Sequence, residues 1–120
     1  MISFGEFISQ KRKEKRITLK AMAESLGITS PYLSDVEKGN RDSFDLDKLE
    51  RIAIILEMTE EEKAKMMDLA GSQREEVAPD LHEYILKTPA VTAELRRAKD
   101  LDVGEEEWFK FIEQIEKGEK

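Results

Sequence analysis

The stretch MAESLGITSPYLSDVEKGNR, residues 22–41, leaves little choice of local structure. Met22, Ala23 and Leu26 recur at helical spacing and stop at Gly27, where a residue without a Cβ takes the left-handed turn that ends a helix. Thr18 can cap this helix, and either Thr29 or Ser30 can cap the next. Pro31 falls in that second helix's first turn, where a missing N–H does no harm. Leu33 and Val36 form its inner face and Gly39 ends it. Ala23 is small where two crossing helices come closest, and Met22, Leu26, Ile28, Leu33 and Val36 are apolar where the pair must share a core. Leu19 to Lys38 thus has the twenty-residue span and the steric pattern of two helices across a tight turn, a combination that a hairpin which merely packs has no need of.

The rest of the chain keeps the helical period, and nothing in it reads as a strand. Phe4, Phe7 and Ile8 open a first helix that continues through Lys11, Arg12, Lys13, Lys15 and Arg16. Asp45 caps a fourth with Leu46, Leu49, Ile52, Ala53 and Leu56 inward, and Thr59 starts a fifth whose first turn holds three glutamates, favoured by the helix dipole. The expected fold class is all-α: a five-helix domain over residues 1–70, a polar linker over 71–79 ending in Pro79, and a helical extension over 80–120. That extension reads as three short helices, around Leu81–Leu86, Pro89–Lys99 and Glu105–Lys117.

Composition narrows the function. With 39% charged and 39% apolar residues the chain is very polar yet not of disordered type. It has no cysteine, which excludes disulfides and thiolate metal sites and suits a cytoplasmic protein. No signal-peptide pattern or membrane-spanning run is present. The single histidine, His82, has no second His or Cys to share a metal, the EEE runs at 60–62 and 105–107 read as helix starts, and no phosphate-binding glycine loop occurs. An enzyme is not expected, and neither is a cofactor. Charge is uneven: residues 1–41 carry eight bases and five acids, whereas residues 42–120 carry twelve and twenty-two. Such a division suits a protein that meets a polyanion with one face only, although surface helices also vary in charge without purpose.

FGEFI, Arg12, ITL (17–19), MAESLGIT (22–29), YLSDVEKGNR (32–41) and LDKLERIA (46–53) resemble the Xre family of bacterial and phage regulators, related to lambda-type repressors, over roughly residues 4–70. The resemblance implies a lambda-repressor-like helix-turn-helix domain that lays its third helix in the major groove of double-stranded DNA. It also implies a buried ion pair between Arg12 and Glu37, architecture rather than DNA contact. Ser30, Pro31, Tyr32, Ser34 and Asp35 match the family's groove-facing positions, with Lys38 toward the far end. Serines bond several bases, Asp35 can accept from a cytosine amino group, and Tyr32 or Pro31 can touch a thymine methyl. If Ser30 caps the helix its hydroxyl is occupied, which favours Tyr32, Ser34 and Asp35 as readers; Asp35 can also be read as an acid at the rim. Phosphate contacts are expected from Lys20, Lys38, Asn40 and Arg41 and from the first N–H groups of the fourth helix. Lys11, Lys13, Lys15 and Arg16 either steer at longer range or are simply solvated, the latter reading being preferred.

Two departures weaken a single copy's grip. Leu19 stands where the family often has a phosphate-bonding Gln, and Asp42, Asp45 and Asp47 repel the backbone. Trp108, Phe109, Phe111, Ile112 and Ile115 place five large apolar residues within eight positions of the acidic tail. They either cover their own subunit's core or form a dimer interface, and the homodimer is favoured because a short tail is hardly stable alone. The expectation is a dimeric repressor on a palindromic operator. The alternative is an antitoxin-like or adaptor protein whose C-terminal half holds a regulatory protein partner.

Overall fold

A computed structural model describes residues 2–118. Among the described residues it forms eight α-helices and no strand: α1 (Phe4–Glu14), α2 (Leu19–Leu26), α3 (Ser30–Glu37), α4 (Leu46–Ile55), α5 (Glu60–Gln73), α6 (Pro79–Lys87), α7 (Pro89–Asp100) and α8 (Glu105–Glu116). The chain divides into two compact units between Glu83 and Tyr84, inside α6.

Short side chains that accept from the first-turn amides fix where the helices of the first unit start. Thr18, Thr29, Asp45 and Thr59 accept from the amides of Ala21, Tyr32, Lys48 and Glu62 at 3.0, 3.2, 3.0 and 3.1 Å. Each such cap contributes about 1 kcal/mol. Thr29 rather than Ser30 is therefore the cap of α3, and Ser30 is its first helical residue. Gly27 and Gly39 close α2 and α3 with φ of 72° and 83°. These caps set the short α2–α3 turn and hence the angle at which α3 leaves the body.

One core then holds α1 to α5 together. Phe4 and Ile8, Met22 and Leu26, Leu33 and Val36, Leu49 and Ile52, and Met66 and Met67 are each at most 2% exposed. Burying one such side chain is worth about 1.5–3 kcal/mol, so two from α3 alone anchor that helix firmly. Gly5 marks the closest approach of α1 to α3. A Cβ there would lie 2.5 Å from the carbonyl oxygens of Val36 and Glu37, so the last turn of α3 rests directly on the backbone of α1.

α5 runs to Gln73, beyond the end expected near Gly71. Gly71 is not a stop: a Cβ there would lie 2.9 Å from the backbone of Ala78, which crosses the helix at this point. Ala78 is itself buried in the core. In the second unit the picture reverses. From Tyr84 to Gly118 no residue is buried, and Trp108 with Phe111 makes an edge-to-face pair 6.2 Å apart on an exposed helix face.

Candidate nucleic-acid interface

The site is built outward from a buried cation. Arg12, 9% exposed near the end of α1, donates from Nε and Nη2 to the two carboxylate oxygens of Glu37 at 2.8 and 3.0 Å. Its Nη1 donates to the carbonyl of Ile17 at 3.0 Å. Hydrogen bonding to Glu37 raises the guanidinium above its already high pKa, so Arg12 stays charged. A fork-to-fork bond of this kind fixes direction as well as distance. It ties the last residue of α3 to α1 and to the turn that leads into α2.

With its inner face held by Leu33, Val36 and Glu37, α3 turns Ser30, Pro31, Ser34 and Asp35 outward, Lys38 follows at its end, and Tyr32 packs against the edge of the core. Pro31 and Lys38 are exposed, and the other four are half-buried. The Ser30 hydroxyl is not spent on capping, because Thr29 performs that role. Asp35 makes no ion pair among the described residues, and its carbonyl accepts from the amide of Asn40 at 2.8 Å, which starts the loop that follows.

That loop, residues 38–45, is clamped from behind by the end of α5. The Ser43 amide donates to Gln73 Oε1 at 2.8 Å, and Gln73 Nε2 donates to the Arg41 carbonyl at 3.4 Å. The Ser43 hydroxyl donates to the carbonyl of Ala70 at 3.5 Å, and Arg74 donates to the Ser43 carbonyl. The side chains of Asn40 and Arg41 stay on the exposed side. The Arg41 guanidinium lies 4.2 Å over the ring of Tyr32, which in turn stacks on Phe44. At the start of α4 the Asp45 carboxylate already occupies the Lys48 amide, so the anion site expected there is partly filled from within. Gln73, Arg74, Ser43 and Phe44 were not among the residues singled out from the sequence. Partners some thirty positions apart leave no local pattern to find.

The remaining bases differ in availability. Lys20 is exposed in the first turn of α2 and makes no ion pair among the described residues. Lys11 is bound to Glu62 at 2.6 Å and to Glu14 at 3.5 Å, whereas Lys13, Lys15 and Arg16 are exposed. Leu19 packs against the edge of the core. Trp108, Phe109, Phe111, Ile112 and Ile115 belong to the other unit and are 40–64% exposed. Neither a candidate metal cluster nor a helix long and apolar enough to cross a membrane occurs among the described residues.

A short capped helix after a tight turn, locked at its end by a buried ion pair and set beside a clamped loop whose Arg41 makes no ion pair among the described residues, has the build of a helix-turn-helix domain. Residues 8–63 match the family model described as Helix-turn-helix, so this part of the chain is similar to that family. Among known proteins, the ImmF control region 10 kDa protein of Bacillus phage phi105 is 43% identical over 54 residues, covering 45% of this chain and 59% of that protein. The HTH-type transcriptional regulator SinR of Bacillus subtilis is 33% identical over 55 residues, covering 46% of this chain and 50% of that one. The chain thus spans about half the length of the curated relatives it matches. A crystal structure of SinR, described as the master regulator for biofilm formation, in complex with DNA overlaps 54% of this chain and 98% of its own, at 29% identity and a TM-score of 0.47.

Proposed function

We propose that this chain is a sequence-specific, DNA-binding transcriptional regulator that works as a homodimer on a two-fold-symmetric operator, as a repressor in the cytoplasm and without enzymatic activity. The observation that carries this reading is the outward face of α3, braced by Arg12 and Glu37 and flanked by the cation of Arg41, which makes no ion pair among the described residues. The match of residues 8–63 to the family and the naming of SinR as a transcriptional regulator support it. In this reading Ser30, Pro31, Ser34 and Asp35 face base edges, while Lys20, Lys38, Asn40 and Arg41 bind phosphates. Tyr32, the fifth of the residues matched to groove-facing positions, has its ring engaged by Arg41 and Phe44.

The homodimer is supported by the second unit, which has no buried side chain among its described residues and exposes the apolar face of α8. A face of that size in a short helical unit calls for a partner. The same observation favours the rival reading, in which a regulatory protein covers α8 and DNA binding is secondary.

Titration of a labelled duplex at several salt concentrations tests the proposal. The intact protein should bind with a steep salt dependence, and Lys20→Ala and Arg41→Ala should each lower the slope by about one per recognition helix, about two for the dimer. Binding that ignores salt, or no duplex binding at all, would leave the protein-partner reading in its place.

A further inference from the structure

Tyr32 stands at a position where the resemblance places a base contact, yet its ring is already committed. It stacks on Phe44, with centroids 5.8 Å apart and planes at 23°. Phe44, 3% exposed, meets the buried Phe4 edge to face at 6.5 Å. The guanidinium of Arg41 lies over the same ring, 4.2 Å from its centroid. The order from core to surface is Phe4, Phe44, Tyr32, Arg41.

We propose that Tyr32 is a positioning residue that holds Arg41 in its phosphate-binding pose, rather than a reader of base sequence; this rests on the DNA-binding function proposed above. Stacking uses the face of a guanidinium and leaves its edge, with the N–H donors, free for an anion. The Arg41 guanidinium makes no ion pair among the described residues, while its main chain is held through the carbonyl by Gln73. The residue is therefore fixed at both ends before any phosphate arrives. A long side chain ordered in advance loses less rotamer freedom on binding. The Tyr32 hydroxyl has no hydrogen-bond partner among the described residues, so what the position requires is a flat aromatic face.

The test uses the full-length chain with Tyr32→Phe, Tyr32→Leu, Arg41→Ala and the Tyr32→Leu/Arg41→Ala double variant. Leucine keeps an apolar side chain against Phe44 and removes the aromatic face, and circular dichroism confirms the fold of each. Binding is read by anisotropy on a mixed-sequence duplex and on the duplex preferred by the unaltered protein. Tyr32→Phe should bind as the unaltered protein does, with the same sequence preference. Tyr32→Leu should weaken binding to both duplexes by the same factor, about two- to five-fold per recognition helix, and should have no further effect once Arg41 is alanine. In the absence of DNA, the Arg41 side-chain protons should show an upfield ring-current shift in the unaltered protein and in Tyr32→Phe, lost in Tyr32→Leu. A changed sequence preference in Tyr32→Phe would make the hydroxyl a reader and overturn the inference, as would an undiminished Tyr32→Leu effect in the Arg41→Ala background. Failure of the unaltered protein to bind any duplex would instead overturn the proposed function, and this role with it.

Discussion

Arg12→Ala removes a guanidinium that makes three hydrogen bonds: two to Glu37 at 2.8 and 3.0 Å and one to the Ile17 carbonyl at 3.0 Å. What remains is the Glu37 carboxylate, only 8% exposed as a side chain, with its partner gone. Stranding one member of such a pair costs about 3–5 kcal/mol, more than the net worth of the pair itself. For a domain of this size each kcal/mol lowers the melting temperature by about 4–8 °C, so a fall of roughly 12–40 °C is expected. A double variant, Arg12→Met with Glu37→Leu, removes both charges and should recover much of that loss, since an apolar replacement of a buried ion pair is often close to neutral. Thermal melts followed by circular dichroism measure both. DNA binding, tested well below each melting temperature, should survive in the double variant because neither residue touches DNA in this account. An Arg12→Ala protein that melts normally but binds poorly would make Arg12 a contact residue rather than a structural one.

Three further outcomes follow from the geometry. Gly5→Ala should lower stability by about 1–3 kcal/mol despite alanine's better helix propensity, because its Cβ would meet the Val36 and Glu37 carbonyl oxygens at 2.5 Å; a raised melting temperature would show that the α1–α3 approach is looser. The hydrogen bond from Lys11, helped by the Thr59 amide, pulls the Glu62 carboxyl down from 4.5 to about 2. The folded protein then holds fewer protons than the unfolded chain, so this contribution is complete above pH 4.5 and fades as pH falls toward 2. Lys11→Met should return the carboxyl toward 4.5 in an NMR titration, and an unmoved titration would assign the shift to the cap alone. Sedimentation of the intact protein at tens of micromolar should give a dimer, and Trp108→Ala with Phe111→Ala a monomer; a dimer unaffected by the pair would move the interface off α8.

What was legible from sequence is what local chemistry writes down. Thr18, Asp45 and Thr59 could be read as caps and Gly27 as a stop, because a capping oxygen or a Cβ-free left-handed residue acts within a few positions of itself. The ambiguity between Thr29 and Ser30 was real, since either hydroxyl could reach a first-turn amide, and only the backbone decides it. The end of α5 was misjudged because Gly71 looks like a break. Its actual reason is Ala78 passing over it, a contact that exists only once the chain has turned back. The same limit hid Gln73 and Arg74, which read as polar linker and in fact clamp the loop of Arg41 from thirty residues away. Tyr32 could be placed on the outer face of α3, but its engagement by Phe44 and Arg41 follows from how the later loop folds back. The apolar pattern of α8 was plain in the sequence.

The central claim, that the outward face of α3 reads DNA in a two-fold assembly, is tested most directly by selecting bound sequences from a random duplex pool with the intact protein. One motif with two inverted half-sites about one helical turn, ~34 Å, apart should be enriched. Base preferences within each half-site should shift when Ser34 or Asp35 is replaced by alanine. A pool that returns no motif, or a motif indifferent to both substitutions, would contradict it.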